Sequence, residues 1–319
     1  MLLKPTSWPS HLVPGTIYRD GPRFIVTSVH DGASSYLLKQ VKLDTPSTDP
    51  STKNPGAEIS IRTPYSELRV ERAFMDWLDH LPRLGEPLTP RLISYGDEPT
   101  AWYLRDYAPG PSLGYSASPF FFNLARLERV KPTQLAARVQ AITELTPQVP
   151  AAHPLTNPNR RQALWQQAND YSAHALACLS ATLRPAAAAC RSLAIDIRTA
   201  APQTLVHGEM YPPHIIGKPS SLMVIDWENV RLDHRYTDHL AVWLRAFERP
   251  DWQNAYLAAV QQFDSFDRRL WEASLFLSTL STAYYLAEQD RMTPDRRLPA
   301  IQYCHNLMLR LISQLAPHA

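Results

Sequence analysis

The 319-residue sequence predicts an α+β protein in two lobes: a small antiparallel β-sheet lobe over residues 1–107 and a larger, mainly helical lobe over residues 108–319. Three observations predict it. Short β-branched and aromatic runs separated by turn residues fill the first hundred positions. Ala/Leu-rich helical patterning dominates after residue 110. Between the helical blocks lies an island, residues 204–231, of short apolar runs and polar turns, the pattern of a site mounted on a scaffold.

In chain order, residues 16–19 are a short β-prone run, and Asp20-Gly21-Pro22 supplies a turn. Residues 23–29 (RFIVTSV) and 35–41 (SYLLKQV) flank Asp31-Gly32-Ala33-Ser34, so the three segments predict an antiparallel meander. Residues 44–56 (DTPSTDPSTKNPG) predict an exposed, mobile loop. Pro64 stands near a helix start, with Leu68, Phe74, Met75, Leu78 and Leu81 on one face. Residues 90–94 and 102–107 (WYLRDY) predict two more strands joined through Gly96-Asp97-Glu98-Pro99, and Ala108-Pro109-Gly110-Pro111 marks the lobe boundary. Helices are expected over 134–145 and 161–201, where Pro185 is a breaker, and three more over 252–315.

Composition narrows the function. With 45% hydrophobic and 19% charged residues the chain reads as soluble and globular. A net charge of +2 with no long basic run gives no reason to expect a nucleic-acid or membrane partner. No stretch approaches the roughly 18 uninterrupted apolar residues of a membrane span. The first residues lack an apolar run of signal-peptide length, so a cytoplasmic location is expected. Cys178, Cys190 and Cys304 are odd in number and lack CxxC spacing, which argues against a disulfide framework or a cysteine zinc site.

The island reads LVHGEMYPPHIIGKPSSLMVIDWENVRLDHRYTDHLA. It resembles the catalytic segment of the aminoglycoside phosphotransferase and choline kinase families, which have a protein-kinase-like fold. Their pattern is HGDxxxxN, a hairpin, IDW or IDF, and a later DLA-like motif. His207 and Gly208 match it; Glu209 stands in place of the catalytic aspartate and His214 in place of the metal-binding asparagine. Asp226 matches the metal aspartate and Asp238 the buried aspartate of the following helix. Upstream, Lys39 in SYLLKQV falls where these families have a phosphate-contacting lysine, and Glu71 in ELRVERAFMDWL where a helix glutamate pairs with it. TPRLISYG and WYLRDYAPGPSL resemble the strand, the hinge and the start of the second lobe. The resemblance runs from about residue 16 to residue 244.

It implies an ATP-dependent phosphotransferase, residues 1–107 binding the nucleotide between the lobes and residues 108–319 carrying catalysis and acceptor binding. Phosphoryl transfer asks a protein mainly for positioning and for neutralising charge on the β- and γ-phosphates. On the resemblance, Lys39 supplies a point charge to the phosphates and Glu71 holds its ammonium. Asp226, with His214, holds Mg2+, a hard cation that prefers oxygen donors. Glu209 accepts the proton of the acceptor hydroxyl, His207 braces the loop, and Asp106 and Tyr107 contact adenine. Glu67, one helical turn before Glu71, is a rival partner for Lys39, and Lys39 itself could face solvent on an edge strand.

Three departures stand out. Glu209 is one methylene longer than aspartate, moving its carboxylate by roughly 1.5 Å, and about 1 Å of misplacement can cost about a hundredfold in rate. Imidazole at His214 is a poor magnesium ligand beside an amide oxygen. Asp20-Gly21-Pro22 is too short and proline-bound to resemble a glycine-rich cradle. The alternative is therefore a degenerate pseudokinase that binds nucleotide or a partner without transfer. A metal hydrolase built on His207, Glu209 and His214 is disfavoured, since Pro212-Pro213 precludes a regular helix there. The acceptor is a small molecule or a peptide Ser/Thr. Trp252, Tyr256, Trp271, Tyr284 and Tyr285 are candidates to line its pocket, with at least half expected in the core. No strongly acidic cluster recommends a polycationic aminoglycoside.

Overall fold

Five strands form one antiparallel sheet: β1 (Val13–Asp20), β2 (Phe24–His30), β3 (Ser35–Val41), β4 (Leu92–Gly96) and β5 (Trp102–Asp106), in the order β1-β2-β3-β5-β4. A helix, α1 (Pro64–His80), lies between β3 and β4 in sequence. The computed structural model describes residues 11–20, 23–42, 64–81, 87–97, 100–108, 110–114, 120–151, 153–156, 158–218, 221–288 and 294–318. The expected loop at 44–56 and the Gly21-Pro22 and Glu98-Pro99 turn positions lie outside them.

Alternation along the strands decides what each face buries. Leu38 of β3 joins Leu12, Val29, Trp102 and Leu104 in a core under one face, with Tyr36 packed against it. Burying each such side chain contributes about 1.5–3 kcal/mol. Because β3 is bonded on both sides, by β2 and β5, Lys39 is a central-strand residue rather than an edge one. Of the α1 face read from sequence, Leu68, Phe74 and Met75 are buried and Leu78 and Leu81 half-buried. β4 sits about two residues beyond its sequence-predicted span, since residues 90 and 91 precede the first sheet pairing at Leu92.

The rest of the chain is mainly helical: α2 (Leu124–Leu127), α3 (Pro132–Glu144), α4 (Pro158–Ala177), α5 (Arg184–Ala200), α6 (Thr237–Arg245), α7 (Pro250–Val260), α8 (Arg268–Glu288) and α9 (Pro294–Leu315). Proline stands in the first turn of α3, α5 and α7, where its missing N–H costs nothing. Thus Pro185 restarts a helix after a break at 178–183 and divides the segment read as one block into α4 and α5. Leu135, Ala136, Val139 and Ile142 give α3 one buried stripe, as Ala187, Cys190 and Ala194 do for α5. Two ribbons occupy the island: β6 (Gln203–Val206) pairs with β9 (Arg231–His234), and β7 (Ile215–Lys218) with β8 (Ser221–Val224). None of the described helices is long and apolar enough to cross a membrane.

The chain divides into two compact units that are discontinuous in sequence. The first comprises Met1–Pro111, Ala152–Arg160 and Ile215–Val230; the second comprises Ser112–Ala151, Arg161–His214 and Arg231–Ala319. The β7–β8 ribbon joins the sheet unit through two backbone bonds, Gly217 N–H to Pro111 O (3.2 Å) and Val224 N–H to Leu88 O (2.8 Å). Gly110 and Gly217 approach so closely that a Cβ on Gly110 meets the Gly217 backbone at 3.0 Å. In the helical unit Trp252, Tyr256 and Trp271 are core residues, Tyr284 is half-buried, and Tyr285 is exposed.

Candidate active site

In the sheet unit, β3 presents Lys39 opposite Val26 and Tyr103, with its Nζ 4.8 Å from the centroid of the buried Phe24 ring. The ammonium donates to Glu71 Oε2 (2.8 Å) and Glu228 Oε2 (3.2 Å), and also to Asp226 Oδ1. Glu71 uses its second oxygen, Oε1, to accept the Trp227 N–H at 2.9 Å. One buried carboxylate on α1 thereby clamps both the β3 lysine and the segment after β8. The Trp227 ring completes the clamp, its centroid 4.5 Å from that of Phe74 of α1 at a tilt of 37°, while Nε1 donates to Val224 O and Thr89 Oγ1. The rival Glu67 takes a different partner, Arg23, at 2.7 Å. Asp226 holds left-handed backbone (φ 68°, ψ 57°), a conformation uncommon outside glycine and typical of over-determined functional positions.

Burial disfavours the Lys39 charge, but Asp226, Glu71 and Glu228 outweigh it and hold the ammonium well above its ordinary range. Burial pushes Glu71 upward, with Lys39 opposing. Lys39 is therefore charged and faces three carboxylates; Arg23 adds a second cation on Glu228 (3.5 Å) and brings Glu67 with it. Carboxylate oxygens of Glu71, Asp226 and Glu228 all lie within 4.8 Å of one another, a hard-oxygen donor set of the kind that suits a divalent cation such as Mg2+.

In the helical unit, His207 leaves β6 buried, and Gly208 turns the chain at φ 87°, a conformation that strains any side chain. Asp238, in the first turn of α6, accepts both following amides, His207 N–H at 2.6 Å and Gly208 N–H at 2.9 Å. Burial raises its carboxyl to about 6, against those two hydrogen bonds. Arg231 donates to Gly208 O (3.4 Å) and is itself held by Asp233, which Arg198 also pairs with at 3.1 Å. The half-buried Glu209 N–H donates to His207 Nδ1 (3.3 Å), so that nitrogen is an acceptor. His214 contacts Glu209 O through Nδ1 at 2.8 Å; since a carbonyl only accepts, Nδ1 carries the proton. The two imidazoles stand 5.8 Å apart. His207, Glu209 and His214 are thus gathered in one braced loop.

At the hinge, Tyr107 is 39% exposed, and its N–H, expected to be open to a ligand, donates to Ser35 O at 3.3 Å. Its hydroxyl meets that of Tyr18 at 3.3 Å. The Asp106 carboxylate pairs with Arg91 at 3.4 Å. Sequence reasoning missed Glu228, the Arg23–Glu67 pair and the Arg198–Asp233–Arg231 brace. For Glu228 the available signal was an acidic residue two positions after Asp226.

No curated protein matches the chain in sequence. Among solved structures, it is similar to a choline/ethanolamine kinase family protein from Mesorhizobium loti, at 13% identity over 95% of this chain and 92% of that one (TM-score 0.59). It is likewise similar to macrolide 2'-phosphotransferase from Brachybacterium faecium, at 16% identity over 93% and 91% of the two chains (TM-score 0.54). A third is amicoumacin kinase in complex with AMP-PNP, Ca2+ and Ami, at 13% identity over 96% and 89% (TM-score 0.52). At such identities the likeness establishes the two-lobed, protein-kinase-like fold. The sequence model of the phosphotransferase enzyme family matches residues 20–274, well over half of the chain, and the protein belongs to that family.

Proposed function

We propose that this phosphotransferase moves the γ-phosphoryl group of ATP to a hydroxyl of a small molecule. The observation that carries the reading is the Lys39–Glu71–Asp226 cluster, a buried ammonium clamped by one carboxylate beside two others. The acceptor oxygen bonds to the γ-phosphorus as the bond from the β,γ-bridging oxygen to that phosphorus breaks. ADP departs with the electron pair, and the hydroxyl proton passes to Glu209. Lys39 offsets phosphate charge, and Glu71 fixes its position. Asp226 and Glu228 hold Mg2+, which when bound supplies charge neutralisation at the phosphates. His207 orients the Glu209 loop, and adenine lies against the hinge at Asp106 and Tyr107. Residues 1–107 form the nucleotide-binding lobe and residues 108–319 the catalytic, acceptor-binding lobe, in a cytoplasmic enzyme.

The amicoumacin kinase complex with AMP-PNP and Ca2+ supports a nucleotide–divalent-cation pairing in a protein of the same fold. Single-turnover ADP formation, with hydroxyl compounds and with Ser/Thr peptides as acceptors, tests the reading. Glu209→Gln keeps size and removes the proton-accepting charge, so transfer should fall by about 10² to 10⁴ while nucleotide binding holds. Asp226→Ala should sharply weaken magnesium-dependent nucleotide binding. Parental transfer by Glu209→Gln excludes Glu209 as the base. Tight nucleotide binding without ADP from any acceptor favours the pseudokinase alternative.

A further inference from the structure

Arg245 closes α6 in the helical unit and is 7% exposed. Its guanidinium is sandwiched between two rings, with Cζ 4.1 Å from the centroid of Tyr211 and 4.4 Å from that of Phe120. Such stacking occupies the two faces and leaves the N–H edges to find acceptors. Nη1 donates to Ala241 O at 2.9 Å. Nε is buried without a hydrogen-bond partner, and among the described residues the guanidinium makes no ion pair.

The ionisable groups whose charge reaches it are Tyr211, Tyr285, Glu209 and Cys304. Burial pushes the Tyr211 hydroxyl and the Cys304 thiol up to about 12 and raises Tyr285, so all three are neutral at neutral pH. Of the four, Glu209 is the one carboxylic acid, and among the described residues Arg245 makes no ion pair with it. Taking a guanidinium out of water without a contacting anion is costly, and proteins tolerate it where an anion is due to arrive. The cluster also has an open side. Tyr285, stacked on Phe120 at 6.1 Å, is 40% exposed, and Tyr211 and Glu209 are half-buried.

We infer that Arg245 is the anion-recognising residue of the acceptor site, and that the hydroxyl compound phosphorylated here carries a carboxylate. A planar carboxylate matches the guanidinium fork edge-on while Phe120 and Tyr211 hold its faces. The assignment rests on the phosphotransfer reading, for it is Glu209 that makes the neighbourhood an acceptor site. It also excludes polycationic aminoglycosides, which a buried cation repels.

The experiment titrates a panel of hydroxy acids (glycerate, gluconate, N-acetylserine and shikimate), each beside its uncharged amide, into parent, Arg245→Met and Arg245→Gln proteins. Saturation-transfer NMR reads binding, and ADP release with magnesium ATP reads turnover. At least one acid should bind the parent about tenfold or more tightly than its amide, the worth of a charge-assisted contact, and both variants should erase that preference. Unliganded variants should melt at or above the parental temperature, since a buried uncompensated charge is gone. A preference absent from the whole panel, a preference surviving in both variants, or a large drop in melting temperature for both overturns the proposal, the last making Arg245 a structural stack. Turnover with amides but no acid preference sinks the carboxylate subsite and leaves phosphotransfer standing. Arg245-dependent acid binding without ADP release does the reverse.

Discussion

Replacing Glu71 by glutamine isolates the clamp that unites β3, α1 and Asp226. The change is isosteric, yet the native carboxylate accepts at both oxygens, from Lys39 at Oε2 (2.8 Å) and from the Trp227 amide at Oε1 (2.9 Å). Glutamine has one acceptor and one donor group, so either orientation sets an NH2 against a donor. The loss comprises a charge-assisted hydrogen bond, about 1.5–3 kcal/mol, and a buried donor left unsatisfied, about 1–3 kcal/mol. Lys39 keeps Asp226 and Glu228, so the uncompensated-charge penalty of about 3–5 kcal/mol for breaking a buried pair is not reached in full. A net cost of about 2–4 kcal/mol follows, or a melting shift on the order of 3–6 °C for a chain of this size. Glu67→Gln is the control: its partner Arg23 has a side chain 38% exposed, and that contact is worth about 1 kcal/mol. Thermal unfolding and calorimetry with magnesium AMP-PNP read the two variants together, Glu71→Gln losing both stability and affinity. A Glu71→Gln protein that melts within about 1 °C of the parent and binds the nucleotide equally well refutes the clamp.

Two further substitutions probe the loop. His214→Asn can return a side-chain N–H to Glu209 O and offers an amide oxygen to a hard cation, so calorimetry should show magnesium-nucleotide affinity unchanged or increased; a tenfold loss contradicts it. Asp238 titrates near 6 in the folded protein and near 4 when unfolded, so the native state binds more protons between those values. Stability should thus fall as pH rises from about 4 to 6, by up to ~3 kcal/mol, and level off above. In Asp238→Asn, denaturant titrations should show that slope gone, and the Glu209 loop should lose about 1–3 kcal/mol of support because one amide now faces a donor.

The sheet and helices were readable because local patterning suffices for them: SYLLKQV is β3 residue for residue, and three helices occupy 252–315. Choosing Glu71 over Glu67 was not possible from periodicity, since both lie on a buried side of α1, at 0% and 2% exposure. What separates them is the partner each meets, Lys39 or Arg23, and that depends on sheet register. Glu228 escaped for a related reason. Its carboxylate reaches Lys39 because Asp226 takes left-handed backbone and the Trp227–Asn229 turn follows, geometry that residue type alone does not announce. Arg245 reads as an ordinary last-turn helix cation until its neighbours Tyr211, Phe120 and Tyr285, far apart in sequence, are seen around it.

In each unit, taken separately, buried charge stands where the proposed reading puts a ligand. The Lys39 cluster gathers three carboxylates round one ammonium, and the Arg245 guanidinium makes no ion pair among the described residues. A protein selected for stability alone gains by neutralising each, because desolvated unbalanced charge is among the costliest things a core can hold. Proteins keep buried charge of this kind where a ligand completes it, and on the proposed reading those ligands are a divalent cation for the first cluster and a carboxylate for the second. Melting temperatures follow from the same argument. Glu228→Gln trims one negative charge from the first cluster, and Arg245→Met removes the lone positive charge of the second. Glu228→Gln, which sets an NH2 against Lys39 or Arg23, should cost some stability, whereas unliganded Arg245→Met should be no less stable than the parent; each should lose the stabilisation that its own ligand confers, magnesium nucleotide in one case and hydroxy acid in the other. At Arg245, that pairing of retained stability with lost ligand response distinguishes a site held open for binding from a charge that merely braces the fold.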